Sequence, residues 1–202
     1  MMKSFTYGAL TIAAVLVGCG GNPPAMMGND AGPTGSGDSG PALCGDPGAP
    51  YGTSEGSHFL PFTLNRCDGT PFEFYADGYC DSSLTVVSIA AGWCGPCRME
   101  APLLRQIEAD YRDQGVRVLS IIIQNNSFGE PSPSFCNGWV SEYSFEHPTL
   151  LDPTQETQIY FPMGALPATL VVDAAGTIRH REYGVSANLA SLRGTLDTLL
   201  AE

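Results

Sequence analysis

The sequence predicts an α/β fold, a three-layer sandwich around a mixed central sheet with an N-terminal β-hairpin extension. Three observations carry this. Residues 84–90 (LTVVSIA) and 116–123 (VRVLSIII) are β-branched runs of the kind found in strands buried on both faces. Between them Leu103, Ile107 and Tyr111 recur every fourth residue, with Arg105, Glu108 and Arg112 assigned to the polar side, so an amphipathic helix links the strands as a right-handed parallel crossover. Residues 170–173 and 177–183 flank a turn at Ala175-Gly176 and form an antiparallel pair, which makes the sheet mixed.

Taken in order, the chain starts with Lys3 and a mostly apolar stretch, residues 5–17, too short for a membrane span. Residues 1–18 therefore read as a secretory signal. Its end, Leu16-Val17-Gly18-Cys19, resembles the lipobox of bacterial lipoproteins, which implies that Cys19 is acylated and becomes the first residue of the mature protein. Residues 19–57 are rich in Gly, Pro, Asn, Asp and Ser and read as a flexible linker behind the lipidated Cys19, with Tyr51 suggesting that its last part docks on the domain that follows. The folded domain is expected over 58–202. It should open with a hairpin, residues 60–64 and 71–75 around Asp68-Gly69. After the second buried strand come a loop at 125–133, a helix over 133–143, a short strand at 149–151 and a helical turn at 156–160. Leu189, Leu192, Leu196 and Leu199 form the buried stripe of a terminal helix.

Composition narrows the function. The formal charge is −12, with one lysine and eight arginines and no basic cluster, which excludes nucleic acid as a partner; the acidity reads as solubility. Seven cysteines point to an oxidising compartment. The three histidines, His58, His147 and His180, show no metal-ligand spacing and are expected at the surface; no metal or other cofactor is expected. Arg98 follows Cys97, so there is no haem-attachment motif.

The chemistry is concentrated in Trp93-Cys94-Gly95-Pro96-Cys97, at the junction of the first buried strand and the helix. Two thiols at this spacing can close into a disulfide and reopen, and a helix N-terminus lowers the pKa of the first. With Glu100 and Pro102 beyond the pair and Leu166-Pro167-Ala168-Thr169 before a later strand, residues 59–202 resemble the thioredoxin-like fold, and within it the TlpA/ResA-type membrane-tethered thiol-disulfide oxidoreductases. The resemblance implies that Cys94 is the nucleophile and Cys97 the resolving thiol. Trp93 would pack beside them, Gly95 and Pro96 would form the first turn, Glu100 would influence thiol titration, and Pro167 would be cis against the pair. Ser88 stands where cytosolic thioredoxins carry a buried aspartate, which leaves proton handling to Glu100 or to water.

Partners expected on this basis are protein disulfides or dithiols and an upstream envelope electron donor, with the protein a monomer. The expected location is the periplasmic side of a bacterial envelope; Gly20 after the lipidated cysteine leans toward the outer membrane. A copper-binding protein of the same fold without turnover is the alternative. Cys44, Cys67, Cys80 and Cys136 depart from the family pattern, and four cysteines allow three connectivities. Cys67 and Cys80 bracket the predicted hairpin, which favours Cys67–Cys80 and leaves Cys44–Cys136.

Overall fold

A computed structural model describes residues 45–78, 82–162 and 164–202. The expected signal segment, the lipidation site Cys19, the first part of the linker, Cys44 and Cys80 lie outside the described residues.

The predicted β-branched runs are β3 (Leu84–Ala91) and β4 (Val116–Gln124), and they form the centre of a seven-stranded mixed sheet in the order β2-β1-β5-β4-β3-β6-β7. β3 is buried along its whole length, as its sequence demands, and pairs parallel with β4 from Leu84↔Val116 through Ser88↔Ser120. β5 (Thr149–Leu151) runs parallel to β4 on the other side. β6 (Ala168–Asp173) pairs antiparallel with β3, and β7 (Ile178–Tyr183) with β6. The hairpin strand β1 (Thr63–Arg66) lies later than the expected 60–64, and β2 (Pro71–Glu73) stops short of residue 75 because the chain coils into a single π turn at Phe74–Gly78.

α1 (Gly95–Tyr111) connects β3 to β4. It has a proline in its first turn, where a missing N–H costs nothing, and it is followed by Gly115 with φ 85°, a left-handed conformation that glycine adopts freely. Its buried face differs from the expected one. Leu104 is fully buried while Leu103 is half-buried against the same cluster, and Glu108, which the periodicity had assigned to the polar side, is buried, as is Glu100. α1 and α3 (Ala190–Leu200) cover one face of the sheet through Leu104, Ile107, Leu192 and Leu196 against Val86, Val118 and Val171. α2 (Pro133–Tyr143) joins α1 over β4 through Trp139, Ala101 and Ile122. The opposite face carries Phe59, Phe62, Phe74 and Tyr160, with the Phe59 and Tyr160 rings stacked at 4.4 Å.

Residues 51–57, read as the end of the linker, are pinned to the sheet. Gly56 N–H donates to the Ile178 carbonyl, Ile178 N–H to the Ser57 carbonyl, and Arg181 Nη1 to the Thr53 carbonyl, so this segment covers the start of the edge strand β7.

The disulfide pairing corrects the sequence expectation. Cys67 is bonded to Cys136, with Cα atoms 5.3 Å apart, which rules out both Cys67–Cys80 and Cys44–Cys136. The reason is strand order. β1 pairs not only with β2 but also with β5 (Asn65↔Leu151, Arg66↔Leu150), and this brings the Cys67 sulfur to 3.6 Å from the Thr149 carbonyl, the same oxygen that the Cys136 sulfur approaches to 3.8 Å.

Candidate active site

The site is built where β3 hands over to α1. A tight turn at residues 91–94 has Cys94 N–H donating to the Ala91 carbonyl. Gly92 is required there, since a Cβ would lie 2.5 Å from the Phe135 ring and 2.9 Å from the Asn125 backbone. Cys94 caps α1, and its sulfur accepts the Cys97 backbone N–H at 3.1 Å. The two cysteines are joined as a disulfide with Cα atoms 5.2 Å apart. In the reduced state the same N–H and the unpaired amides of the first turn would face a Cys94 thiolate, which they stabilise. Both cysteines are buried, Cys94 at 3 % and Cys97 at 1 % exposure.

One helical turn below Cys97, Glu100 is 1 % exposed. Its Oε2 accepts from Ser88 Oγ and its Oε1 from Thr169 Oγ1, both at 2.7 Å. The hydroxyl at position 88 therefore does not replace the missing aspartate; it holds a carboxylate supplied by the helix. Burial pushes the Glu100 pKa up to about 7, the Thr169 and Ser88 hydrogen bonds pull against it, and the charge of Glu182 adds to the rise. The group is thus balanced between acid and base near neutrality.

Trp93 and the loop after β4 form the rim. Trp93 Nε1 donates to Gln124 Oε1 at 2.9 Å, and Gln124 Nε2 donates to the Phe128 carbonyl at 2.9 Å. The Phe128 ring stacks on Trp93 at 4.9 Å while remaining 64 % exposed, on a residue with φ 64°. Arg98 closes the base of this loop by donating to the Gly92 carbonyl and to Asn126 Oδ1. The Leu166–Pro167 bond is cis, and Leu166 and Ala168 share a buried cluster with both cysteines.

Of the residues expected from sequence, the structure brings together Trp93, Cys94, Gly95, Pro96, Cys97 and Glu100 at one end of α1, with the Pro167 segment in the same buried cluster. Sequence reasoning missed the parts played by Thr169, Gln124 and Phe128. It also misplaced His147, which is 5 % exposed; its Nδ1 lies 3.0 Å from Glu108 Oε2 and its Nε2 2.9 Å from Ser120 Oγ. His180 is half-buried on β7. Among the described residues no group of three or more His, Cys, Asp or Glu side chains is arranged to hold a metal ion.

Comparison with known proteins agrees with this geometry. The thiol-disulfide oxidoreductase ResA of Oceanobacillus iheyensis is 24 % identical over 109 residues, 54 % of this chain and 53 % of that protein. The thiol:disulfide interchange protein CycY of Rhizobium leguminosarum is 25 % identical over 132 residues, 61 % of this chain and 62 % of that one. The chain thus spans about half to three fifths of the length of these curated relatives. The crystal structure of a thiol:disulfide interchange protein of the thioredoxin family from Chlorobium tepidum superposes with a TM-score of 0.58 at 18 % identity, over 73 % of this chain and 98 % of that one, which shows a shared thioredoxin-like fold. With residues 54–196 matching the Redoxin family across the sheet, the cysteine pair and the Pro167 segment, the chain belongs to that family.

Proposed function

We propose that the protein is a thiol-disulfide oxidoreductase of the bacterial cell envelope, held to a membrane through acylated Cys19 and reducing disulfides in other proteins. The observation that carries the reading is the Cys94–Cys97 disulfide at the N-terminus of α1, directly above a buried carboxyl with a pKa of about 7. In the reduced protein the Cys94 thiolate attacks one sulfur of a substrate disulfide. A Cys94–substrate disulfide forms, and the other substrate sulfur leaves as a thiolate and takes a proton. Cys97 then gives its proton to the Glu100 carboxylate, one turn along the same helix face, and attacks Cys94 Sγ. The second substrate thiolate leaves, Cys94–Cys97 re-forms, and two electrons have passed to the substrate. An upstream dithiol donor in the envelope returns the protein to its reduced state.

The names of the relatives, a thiol-disulfide oxidoreductase and a thiol:disulfide interchange protein, support the reaction class. The lipid anchor and the periplasmic side of the outer membrane rest on residues 16–20. The test is insulin-disulfide reduction with dithiothreitol as donor, comparing the parent with Cys94→Ser. The expected loss is 1,000-fold or more, of the order seen when a covalent nucleophile is removed. Equal rates, or tight Cu(I) binding abolished by Cys94→Ser with no disulfide exchange in the parent, would replace the reading with a metal-binding one. Globomycin-sensitive processing and radiolabelled palmitate incorporation lost in Cys19→Ser would support the anchor.

A further inference from the structure

Behind Glu100 lies a second layer of charge that the exchange reaction as written does not use. Thr169, whose hydroxyl donates to Glu100 Oε1, sits directly opposite Glu182 in the β6–β7 pairing, so the two side chains stand together on the α1 and α3 face of the sheet. Two residues earlier on the same face of β7, His180 Nε2 lies 3.5 Å from Glu182 Oε2, and His180 Nδ1 lies 3.8 Å from Glu55 Oε1. The Glu182 carboxylate is only 14 % exposed and His180 21 %, while Glu55 reaches solvent at 57 %. Glu182 Oε1 and His180 Nε2 are buried without a hydrogen-bond partner. This acid-imidazole pair stands next to the Thr169 hydroxyl that bonds Glu100.

We propose that Glu182 and His180 are positioning residues that act through Glu100, a charge pair that sets the pH at which Glu100 takes and releases the Cys97 proton. The proposal rests on the exchange reaction described above and adds its pH control. Facing Glu100 are Ser88 from β3, Thr169 from β6, Glu182 from β7 and Cys97 one turn earlier on α1; behind them Ser191 of α3 faces Glu182, and Glu55 faces His180. The Glu182 carboxylate disfavours a second negative charge on Glu100, and a protonated His180 offsets that effect. Glu182 and Glu55 hold the His180 proton to higher pH than usual, and His180 and Ser191 keep Glu182 ionised against the effect of its burial. As the pH rises through the His180 titration the offset is lost and Glu100 holds its proton more tightly. The ionisation of Glu100, and with it acceptance of the Cys97 proton, is thereby spread to higher pH than Glu100 alone would show.

The two partners therefore have effects of opposite sign, which loss of packing does not produce. The experiment is a ¹³C carboxyl NMR titration of Glu100 in the disulfide form of the intact chain, read beside the pH profile of insulin reduction. Glu182→Gln should lower the Glu100 midpoint by about 0.5 to 1 pH unit and His180→Gln should raise it by a similar amount, the range expected for one charge at second-neighbour distance. The double variant should return close to the parent. In the parent, the Glu100 curve should carry a second inflection where His180 loses its proton. Shifts of the same sign, no shift, or a single parent inflection overturn the proposal, and the parent titration decides even where a variant fails to fold. The titration needs no turnover, so absent insulin reduction would count against the exchange reaction and leave this measurement to decide the charge pair.

Discussion

α1 carries two buried carboxylates, one near each end, and they behave in opposite ways. Glu100 and Glu108 lie eight residues apart, about 12 Å along the axis, above two serines that are direct partners in the parallel sheet, Ser88 and Ser120. Glu100 is bonded to Ser88 itself and to Thr169, neutral hydroxyls only. Glu108 reaches Ser120 through His147 and also meets Arg112 at 3.2 Å, which in turn pairs with Glu146. Burial raises the pKa of both; at Glu108 the hydrogen bond and charge of His147 together with Arg112 outweigh it and leave the carboxyl below its ordinary value, whereas at Glu100 nothing cationic does so. A buried acid among neutral partners is left to titrate near neutrality, whereas one beside a cation is held ionised.

The largest effect should come from breaking the Glu108 array. His147→Leu removes the hydrogen bond that holds Glu108 to Ser120 while Arg112 stays beside it, and losing such a bond to a buried charged group costs about 3 kcal/mol. A urea melt at pH 7 should show that loss, with insulin reduction per folded molecule unchanged. A loss under about 1 kcal/mol would show that the array holds nothing. The contribution also has a pH sign. Since the folded pKa of Glu108 is depressed, its stabilisation is present above the ordinary carboxylate pKa and disappears as the pH falls through the folded value.

Glu100 should show the reverse. Its pKa rises from 4.5 to about 7 on folding, so between those values the folded chain holds a proton that the unfolded chain has lost, and stability falls as the pH climbs through that window. Glu100→Gln, which mimics the protonated acid, should therefore stabilise the disulfide form by about 3 kcal/mol at pH 8 and have almost no effect at pH 4. The same variant should slow disulfide exchange about 100-fold, within the range for loss of a general base. A variant that is both more stable and slower would mark Glu100 as a functional group held against stability; one that is less stable at pH 8 would place it with Glu108. A smaller change tests the hydroxyls. Thr169→Val removes one of the two donors to the carboxylate, so the Glu100 midpoint should move up by about 1 pH unit at a cost of about 1 kcal/mol.

This contrast was only half legible in the sequence. The strands, the crossover helix and the cysteine pair are local patterns, and β3, α1 and β4 stand where hydrophobic periodicity puts them. Glu100 could be singled out by its distance from Cys97, three residues along a helix. Its environment could not, because Ser88, Thr169 and Glu182 are brought to it by pairing registers, one of which is offset by a bulge between Val171 and Val172. Glu108 looked like a solvent-facing residue for the same reason: the histidine that satisfies it comes from a loop 39 residues away. The Cys67–Cys136 bond spans 69 residues and depends on β1 lying beside β5, which no local signal announces.

The two ends of α1 differ at the surface as well, and the smallest effect should be found there. At the Glu108 end Arg112 bridges Glu108 and Glu146 at the surface. At the cysteine end Phe128 stands out into solvent, held in a left-handed conformation with its ring on Trp93 and its carbonyl on Gln124. That backbone region is unfavourable to a bulky residue and the ring gains little burial there, so its outer face is left open to contact. Under the proposed exchange reaction, the aromatic pair would offer a flat apolar wall beside the disulfide to the side chains that flank a substrate cysteine. Phe128→Ala should leave stability within about 0.5 kcal/mol and leave the rate with a small disulfide such as 5,5′-dithiobis(2-nitrobenzoate) unchanged. It should raise KM for a protein disulfide about 5-fold, the loss of one partly buried aromatic contact. Equal loss on both substrates would mean that Phe128 supports the Gly92 turn through its loop, and the wall would then be Trp93 alone.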